Sequence, residues 1–477
     1  MKQFDVIVIG AGPAGYVAAI RCAQLGLNTA CIDDWLNDDN LPSPGGTCLN
    51  VGCIPSKALL ESSELFEQCQ NEMAAHGVNT TKVTVDLATM MQRKQKVVHE
   101  LTNGIEVLLE ANKIHFYSGT GKLLADKKVK IKTRDNSTTT IHAEHIILAP
   151  GSIPKPFAAI PYASDIVVDS TGALAFDHVP EELAIIGAGV IALELGSVWR
   201  RLGAKVTLFK SSNKLLPAAD TDISKLAEKI FLEQGLKFCF GSQVNNSKIN
   251  NNKIDISYTQ ADTNKTKTFD KVIIAIGRSP NTQYLSATAC ELKYNEQGYI
   301  DVDEQCHTNL PGVYAIGDAV RGPMLAHKGG QEGVMVAELI AGQYSRVNYT
   351  SIPLVIYTAP EIAWCGKTEQ QLKASNIAYK SGSFPFANNG RAHAMNNKQG
   401  LIKILADAKT DRILGVHMIG PHVSELIGQA VIAMEFQSSS EDLAMTMFAH
   451  PSLSEVLHEA ALDVMDQSIH KGTIKSS

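Results

Sequence analysis

One pattern of residues occurs twice in this 477-residue chain, and it restricts the possible folds more than any other feature. Each copy is a short β-branched run, then a glycine-rich turn, then a helical pattern, then a second apolar run. The first copy starts at Phe4 and turns at Gly10, and the second starts at Leu183 and turns at Gly187. A strand, a glycine turn and a helix in this order are typical of β-α-β units that bind dinucleotides. The repeat therefore predicts an α/β fold with two Rossmann-like dinucleotide-binding domains.

The glycines of the first turn each have a physical reason. Gly10 permits the tight turn, Gly12 lets the backbone approach a pyrophosphate, and Gly15 lets helix and strand pack closely. The N-terminus of the following helix offers free N–H groups to phosphates. Asp33 lies 23 residues after Gly10, at the end of the next predicted strand, where a carboxylate accepts hydrogen bonds from ribose hydroxyls. This spacing predicts a dinucleotide site.

The second turn keeps Gly187 and Gly189, and Ala192 at the third position still allows close packing. Counting the same 23 residues from Gly187 leads to Lys210, which is not an acid. A lysine cannot accept a hydrogen bond from a ribose hydroxyl, but it attracts a 2′-phosphate. The alternative is that Lys210 faces solvent and the ribose is held by other groups. The residues alone therefore do not rank NAD above NADP.

The segment 45–57 contains two cysteines five residues apart, Cys48 and Cys53, with Gly46 and Gly52 beside them. At the start of a helix a thiol is stabilised as thiolate, which is its reactive form. A disulfide ring this short adds little stability, so a cycling disulfide is favoured over a structural one. A zinc site normally needs a second cysteine pair, and none exists at that spacing, so no metal is predicted. Lys57, one helical turn on, either faces a thiolate or flavin edge or is a surface lysine.

The composition excludes several other classes of protein. A net charge of −6 and a pI near 6.2 argue against a surface for nucleic acid or an anionic membrane. No apolar run approaches the roughly 18 residues that would span a bilayer. The N-terminus enters a predicted strand at once, with no signal segment, so we expect a cytoplasmic protein.

Later segments add to this organisation. Residues 311–318 form a short apolar run that ends in Gly-Asp, so Asp318 either reaches the ribityl hydroxyls of a flavin or belongs to a simple turn. Residues 245–270 are rich in Asn, Lys and Thr and predict a solvated β-hairpin region. From about residue 350, strand-like runs alternate with helical ones, which predicts a separate α+β domain.

The segment Gly45-Gly-Thr-Cys-Leu-Asn-Val-Gly-Cys-Ile-Pro-Ser-Lys57 resembles the signature of the pyridine nucleotide–disulfide oxidoreductases, and the similarity covers nearly the whole chain. It implies an FAD-binding domain at 1–150, an NAD-binding domain at 151–282, a central segment at 283–350 that completes the FAD site, and an interface or dimerisation domain at 351–477. It also implies FAD and NAD as cofactors, a homodimer, and a Cys48–Cys53 redox disulfide. The signature is most similar to members that oxidise protein-bound dihydrolipoamide with NAD⁺. The implied partner is then a lipoyl domain of a 2-oxo acid dehydrogenase complex or of the glycine cleavage system.

The resemblance also implies roles for individual residues. His450 matches the family's acid–base catalyst, which Glu455 orients and which acts on the dithiol across a two-fold interface. Lys57 and Glu194 resemble the family's ion pair beside the flavin. The FAD-binding positions implied are Gly10, Gly12, Gly15, Asp33, Lys57, Gly121, Ala149, Gly151, Ser152, Asp318, Met324, Leu325, Ala326 and His327. The NAD-binding positions implied are Gly187, Gly189, Val190, Ile191, Glu194, Lys210, Gly277 and Arg278.

Alternatives remain open. Ser452-Leu-Ser-Glu455 is also a capping-box pattern, so Glu455 either caps a helix, orients His450, or does both. Lys210 stands where the family usually has glutamate, which keeps open an NADPH-dependent reductase of the glutathione reductase type. Mercuric reductase is disfavoured because its C-terminal cysteine pair is missing. A redox-inactive flavin-binding scaffold is the alternative from another class. The insert-like segment 35–44 is atypical and is expected to loop outward.

Overall fold

The computed structural model describes residues 2–163 and 165–472. Its first part is a β-α-β unit whose sheet continues into an antiparallel β-meander. The strands are β1 (Gln3–Ile9), β2 (Thr29–Asp33), β3 (His115–Ser118), β4 (Thr120–Leu124), β5 (Lys128–Lys132) and β6 (Thr138–Leu148). The helices are α1 (Pro13–Gln24), α2 (Gly46–Val51), α3 (Cys53–Asn71) and α4 (Leu87–Ala111).

The second part repeats this plan. Its strands are β7 (Ser152–Pro154), β8 (Val167–Val168), β9 (Glu182–Ile186), β10 (Lys205–Lys210), β11 (Lys237–Phe240), β12 (Ser242–Asn250), β13 (Lys253–Gln260), β14 (Thr263–Phe269), β15 (Lys271–Ile274) and β16 (Arg278–Pro280). Its helices are α5 (Ser170–Ala173), α6 (Val190–Arg201) and α7 (Thr221–Glu233). The chain then returns to the first part with β17 (Val313–Ala315) and α8 (Ala326–Ile340).

Two parallel five-stranded arrangements result from the repeat. In the first, the strand order is β3-β2-β1-β6-β17, and in the second it is β11-β10-β9-β15-β8. Alternation along β1 explains the layers: Val6 and Val8 pack towards α1, whereas Ile7 and Ile9 pack towards the meander. The mixed α/β architecture with two dinucleotide units confirms the predicted fold class. The prediction of a β-hairpin for residues 245–270 is wrong in one detail, because this region contributes to three antiparallel strands, β12, β13 and β14.

The C-terminal part is an antiparallel sheet covered by helices, in the order β18-β19-β22-β21-β20. The strands are β18 (Leu354–Ile356), β19 (Glu361–Gly366), β20 (Tyr379–Pro385), β21 (Leu401–Asp407) and β22 (Ile413–Gly420). The helices are α9 (Glu369–Ala374), α10 (Gly390–Ala394), α11 (Val423–Glu435), α12 (Ser440–Met445) and α13 (Glu455–Val464). This is the α+β unit expected from residue 350 onward; the exact domain boundaries, including residues 473–477 outside the described range, stay predictions.

Lys403 joins this C-terminal sheet to the second dinucleotide unit. Its buried ammonium lies 3.0 Å from Asp220 and 2.6 Å from Asp222, and it also contacts Glu369 at 2.5 Å. Although burial alone would raise the pKa of Glu369, hydrogen bonds from Lys373, Lys403 and the Tyr379 hydroxyl lower it to about 2. Three carboxylates at such distances resemble a cation site, but here the lysine ammonium is the cation.

His417, on β22 beside this cluster, is expected to make the protein sensitive to acid. The ring is fully buried, and burial lowers its pKa from 6.5 to about 4 despite the nearby Asp220 carboxylate. Because the unfolded chain binds this proton below pH 6.5 and the folded chain does not, stability falls as the pH drops from 6.5 towards 4. The loss between pH 7 and pH 5 is about 2 kcal/mol.

His417→Gln tests this expectation, because glutamine can still donate to the Lys367 carbonyl, 3.0 Å from Nε2, without titrating. The fall in Tm between pH 7 and pH 5 should be smaller in this variant than in the wild type. His76→Gln, at an exposed position, is the control and should leave the fall unchanged. An unchanged pH dependence in His417→Gln would assign the acid sensitivity to other groups.

Candidate active site

The first glycine turn forms an open cradle for a diphosphate. Gly10 has φ +102°, and a Cβ there would lie 2.1 Å from the Ala149 carbonyl oxygen. At Gly15 a Cβ would lie 1.8 Å from the Gly10 oxygen, so both glycines are required by close contacts. At Gly12, in contrast, the nearest atom would be 3.8 Å away. Since α1 begins here with no side-chain cap, its N–H groups are available to phosphate oxygens.

Asp33 closes this cradle at the end of β2. Its carboxylate accepts hydrogen bonds from the backbone N–H of Ala11 at 2.8 Å and of Trp35 at 3.3 Å. Burial raises the pKa of Asp33 to about 6, and these two bonds oppose the rise. The turn and the acid fit the diphosphate and ribose of FAD.

A series of hydrogen bonds between Ser152, Asp318 and Arg278 joins the two units. The Ser152 hydroxyl donates to Asp318 Oδ2 at 2.5 Å, and Arg278 Nε donates to the Ser152 oxygen at 2.7 Å. Arg278 was predicted for NAD and the other two for FAD, so this network links residues that were predicted for the two sites.

The segment that carries Asp318 is held by an ion pair that the sequence analysis missed. Lys328 and Glu332 on α8 have fully buried side chains and lie 3.1 Å apart. Glu332 accepts the Gly317 N–H at 2.8 Å, and Lys328 donates to the Gly317 carbonyl at 2.7 Å. A Lys-Glu pair four residues apart normally indicates an exposed helix face, so no local pattern marked this support.

Both cysteines of the 45–57 segment lie at helix starts, as predicted. Cys48 is on the short helix α2 and Cys53 is the first residue of α3. Both are free thiols, with Cys48 half-buried and Cys53 exposed. A hydrogen bond from the Cys48 thiol, together with the Lys57 charge, lowers the pKa of Cys53 from 9.0 to about 7. The same bond and burial raise the pKa of Cys48. The first thiolate to form in the pair is therefore that of Cys53.

Lys57 and Glu194 form the ion pair that the resemblance implied. Lys57 Nζ lies 2.8 Å from Glu194 Oε2, and the glutamate side chain is almost fully buried. Tyr357, which was not predicted from the sequence, donates its backbone N–H to Glu194 Oε1 at 3.0 Å. The Lys57 ammonium also lies 4.5 Å from the centre of the Tyr357 ring. Tyr357 thus fixes both partners of the pair on the side that faces Cys53.

His450 and Glu455 lie together on the surface of the C-terminal unit. His450 Nδ1 is 2.8 Å from Glu455 Oε1, and the histidine side chain is 80% exposed. Partial burial alone would raise the pKa of Glu455, but the Ser452 N–H and the His450 ring lower it below its usual range. The predicted capping box is only half formed. Helix α13 begins at Glu455, and the Ser452 hydroxyl has no hydrogen-bond partner among residues 2–163 and 165–472.

The second glycine turn repeats the geometry of the first. Gly187 has φ +117°, and a Cβ there would lie 2.2 Å from the Ala275 oxygen. A Cβ at Gly189 would meet nothing within 4 Å, and α6 begins with no side-chain cap. The residues therefore fit the diphosphate of a nicotinamide dinucleotide. Lys210 ends β10, half-buried, at the position that Asp33 has on β2.

The other predicted positions lie near the first turn, near the second turn or, for Gly121, within a strand. Ala149, Gly151 and the segment 324–327 lie at strand ends and at the start of α8, beside the first cradle and the Asp318 segment. Within that segment, His327 bonds the Pro353 carbonyl at 2.9 Å. Val190 and Ile191 begin α6 directly after the second turn, and Gly277 precedes β16. Gly121 lies on β4, where a Cβ would contact Ile9 and Ile32, so close packing accounts for this glycine.

The fold and the site define a flavin-dependent disulfide oxidoreductase. The family profile named "Pyridine nucleotide-disulphide oxidoreductase" matches residues 4–333, and that of its dimerisation domain matches residues 352–461. The chain belongs to this family. Its enzymatic class and its FAD and nicotinamide cofactors, predicted from the sequence, are thereby confirmed, and the dimerisation domain supports a homodimer.

Within the family, the chain is 50% identical to a dihydrolipoyl dehydrogenase of Cupriavidus necator, over 97% of this chain and 98% of that protein. It is 43% identical to dihydrolipoyl dehydrogenase 1, mitochondrial, of Arabidopsis thaliana, over 98% and 91%. Among solved structures, the HOCl-induced flavoprotein disulfide reductase RclA from Escherichia coli is similar at a TM-score of 0.85 and 26% identity, over 97% of this chain and 99% of that one.

Within residues 2–163 and 165–472, the structure contains no helix with both the length and the hydrophobicity needed to cross a bilayer.

Proposed function

We propose that the protein oxidises protein-bound dihydrolipoamide to lipoamide and reduces NAD⁺ to NADH, with Cys48 and Cys53 as its redox pair. The observation that carries the proposal is the pair of thiols at adjoining helix starts, with the pKa of Cys53 lowered to about 7 beside Lys57. The proposal agrees with the similarity to two dihydrolipoyl dehydrogenases, which are 50% and 43% identical to this chain along almost their whole length. The lipoyl domain of a 2-oxo acid dehydrogenase complex or of the glycine cleavage system is the proposed partner, and the cytoplasm is the proposed location.

The chemistry begins with deprotonation of the dithiol. A free thiol has a pKa near 8.5 and is a weak nucleophile at neutral pH, so His450, oriented by Glu455, removes its proton. The substrate thiolate attacks Cys48 of the oxidised pair, and Cys53 leaves as thiolate. Cys53 is stabilised as the leaving thiolate because it lies at the start of α3 and the Lys57 charge lowers its pKa.

The second substrate thiol loses its proton to solvent, and the resulting thiolate attacks the substrate sulfur of the mixed disulfide, which closes lipoamide. Cys48 leaves and takes the proton held by the His450 imidazolium. The two electrons of the substrate now reside in the Cys48 thiol and the Cys53 thiolate. FAD, when bound in the first cradle, supplies two-electron transfer between this pair and a nicotinamide at the second cradle. The Lys57 ammonium, paired with the Glu194 carboxylate, stays beside the two cysteines throughout the reaction.

Steady-state turnover decides between this proposal and its two rivals. We expect rapid reduction of NAD⁺ with dihydrolipoamide, and little oxidation of NADPH with glutathione disulfide. Faster turnover with glutathione disulfide and NADPH would favour the glutathione reductase type. A purified flavoprotein whose flavin absorbance is not bleached by dihydrolipoamide or by NADH would be a scaffold instead of an enzyme.

Lys210 is expected to narrow the preference for NAD⁺ over NADP⁺ without reversing it. A carboxylate at this strand end would accept a charge-assisted hydrogen bond from the ribose. Such a bond typically contributes about 1.5–3 kcal/mol of binding free energy. Lys210→Glu should therefore increase the NAD⁺/NADP⁺ ratio of kcat/KM by roughly one to two powers of ten. Lys225→Glu makes the same charge change on an exposed face of α7 and is the matched control. An equal effect of both substitutions would show that Lys210 has no specific role, and NADP⁺ as the better coenzyme of the wild type would contradict the expected preference.

A further inference from the structure

The connection from β2 to α2 is longer than a simple turn and is folded back on itself. We call residues 34–42 the 34–42 loop. Asn37 N–H donates to the Leu41 carbonyl at 2.9 Å, and Ser43 N–H donates to the Trp35 carbonyl at 3.0 Å. The Asn37 side chain accepts two further N–H groups, those of Asp39 and Leu41. These bonds give the loop a defined shape, although it lies at the surface as expected.

Three elements of the first unit anchor this loop. Gln95 on α4 donates to Asp38 Oδ2 at 3.0 Å. From the turn between β5 and β6, Arg134 donates to Asn40 Oδ1 at 2.9 Å. At its base, the buried Ser43 donates to Asn50 Oδ1 on α2 at 2.7 Å, and Asn50 donates back to the Ser43 carbonyl at 3.0 Å.

The loop forms one wall of a cleft of about 680 Å³. Asp34, Leu36, Asn40 and Pro42 line the wall, and residues 118–120 and 132–137 complete the cleft. The cleft begins where β2 and β3 end. In a dinucleotide unit the acid at the end of the second strand binds the adenosine ribose, which here is Asp33. A cofactor held by Asp33 therefore extends its adenine towards this cleft.

The second unit has a cleft of about 620 Å³ at the equivalent strand ends, but its wall is different. It is lined by Asn213 after β10, by Phe240, Gly241 and Gln243, and by residues 259–262 and Lys265 at the tip of the meander. The connection after β10 runs from residue 211 to residue 220; its residues 211–214 are exposed, and Leu215 and Leu216 are buried in the hydrophobic core instead of covering the cleft. The two sites of the repeat thus differ in one device, the anchored loop over the first cleft. FAD must be released slowly, because it stays bound through many turnovers. A nicotinamide coenzyme must be released quickly, because it exchanges in each turnover.

We propose that the 34–42 loop is a clasp that covers the adenosine end of FAD and slows its release. Leu36 and Pro42 present apolar surface to the purine ring, and Asp34 and Asn40 carry oxygens that can accept a hydrogen bond from its amino group. The proposal rests on FAD as the cofactor and not on the identity of the dithiol substrate.

The test shortens the loop and measures release of FAD from the holoenzyme. Trp35 and Ser43 are already paired by a hydrogen bond, so replacing residues 36–42 with Asn-Gly closes the chain as a two-residue turn. The rate of FAD release is followed by the fluorescence of the free flavin after dilution. We expect release to be about ten to a hundred times faster, while KM for NAD⁺ is unchanged.

A second variant protects the test against misfolding of the shortened chain. Gln95→Ala with Arg134→Ala removes two anchors and leaves residues 34–42 intact, so release should accelerate, but less. Asn250→Ala is the matched control, because it removes an exposed side-chain hydrogen bond of the same kind, to Asp255 at 3.0 Å, in the second unit. Wild-type release rates in the shortened variant, or in the anchor variant if the shortened chain does not fold, would overturn the proposal. Absence of dihydrolipoamide turnover would leave it untouched, because release is measured without substrate.

Discussion

Replacing Cys48 or Cys53 with serine is expected to lower dihydrolipoamide turnover by about three orders of magnitude or more while leaving FAD bound. A serine hydroxyl cannot form the disulfide that accepts the substrate's electrons, so the pair no longer cycles. The flavin should remain because the proposed contacts of its diphosphate and ribose are with the Gly10 turn and Asp33, and not with the cysteines.

Turnover and the flavin absorbance retained after gel filtration check both parts of this prediction. Cys69→Ser is the matched control, since Cys69 is a half-buried thiol on the same helix α3 and should be dispensable. Cys48→Ala adds a finer test. Because the Cys48 thiol makes the largest contribution to lowering the pKa of Cys53, its removal should raise that pKa from about 7 towards 9. Loss of flavin from either serine variant would contradict the proposed separation of cofactor binding from redox chemistry.

The local structural features that were expected from the sequence depend on residues near one another in the chain. Gly10 must have a positive φ, and Gly15 is required because its Cβ would collide with the Gly10 carbonyl oxygen five residues earlier; both follow from the β-α-β pattern. Cys53 lies at a helix start because Gly52 and the helical run after it specify one. Such features are encoded within about thirty residues, so the sequence shows them directly.

The features that were missed depend on contacts between distant segments. Tyr357 meets Glu194 across 163 positions of the chain, and no local pattern marks a tyrosine backbone N–H as a partner for a buried carboxylate. The Lys328–Glu332 pair has the spacing of an exposed helical ion pair, yet both side chains are buried because α8 packs against α1 and the Gly317 segment. The segment 35–44 was expected to loop outward; the 34–42 loop does lie at the surface, but only the structure shows its anchors on Gln95 and Arg134.

In the part of the chain that the structure describes, His450, the proposed acid–base catalyst, does not bond to the cysteines of its own chain. Its ring is 80% exposed and bonded to Glu455 through Nδ1, so Nε2 is the nitrogen left to exchange a proton with substrate. Among residues 2–163 and 165–472, no hydrogen bond or ion pair joins His450 to Cys48 or Cys53. A general acid–base group typically contributes a factor of about 10² to 10⁴, so His450→Gln should reduce kcat by that amount.

If His450 serves the disulfide of the partner subunit, two inactive variants should restore activity to each other. A His450→Gln chain keeps its cysteines and a Cys48→Ser chain keeps its histidine, so a heterodimer of the two has one complete site. Random mixing gives heterodimers as half of all dimers, and about a quarter of the wild-type activity should return. A chain with both substitutions, mixed with the His450→Gln chain, forms no complete site and is the control. If mixtures shown to contain heterodimers stay inactive, His450 acts on its own chain, or not at all, and the shared site is wrong. If activity returns, the exposure of His450 reflects its place at the subunit interface, where the base on one chain and the disulfide on the other form a single site.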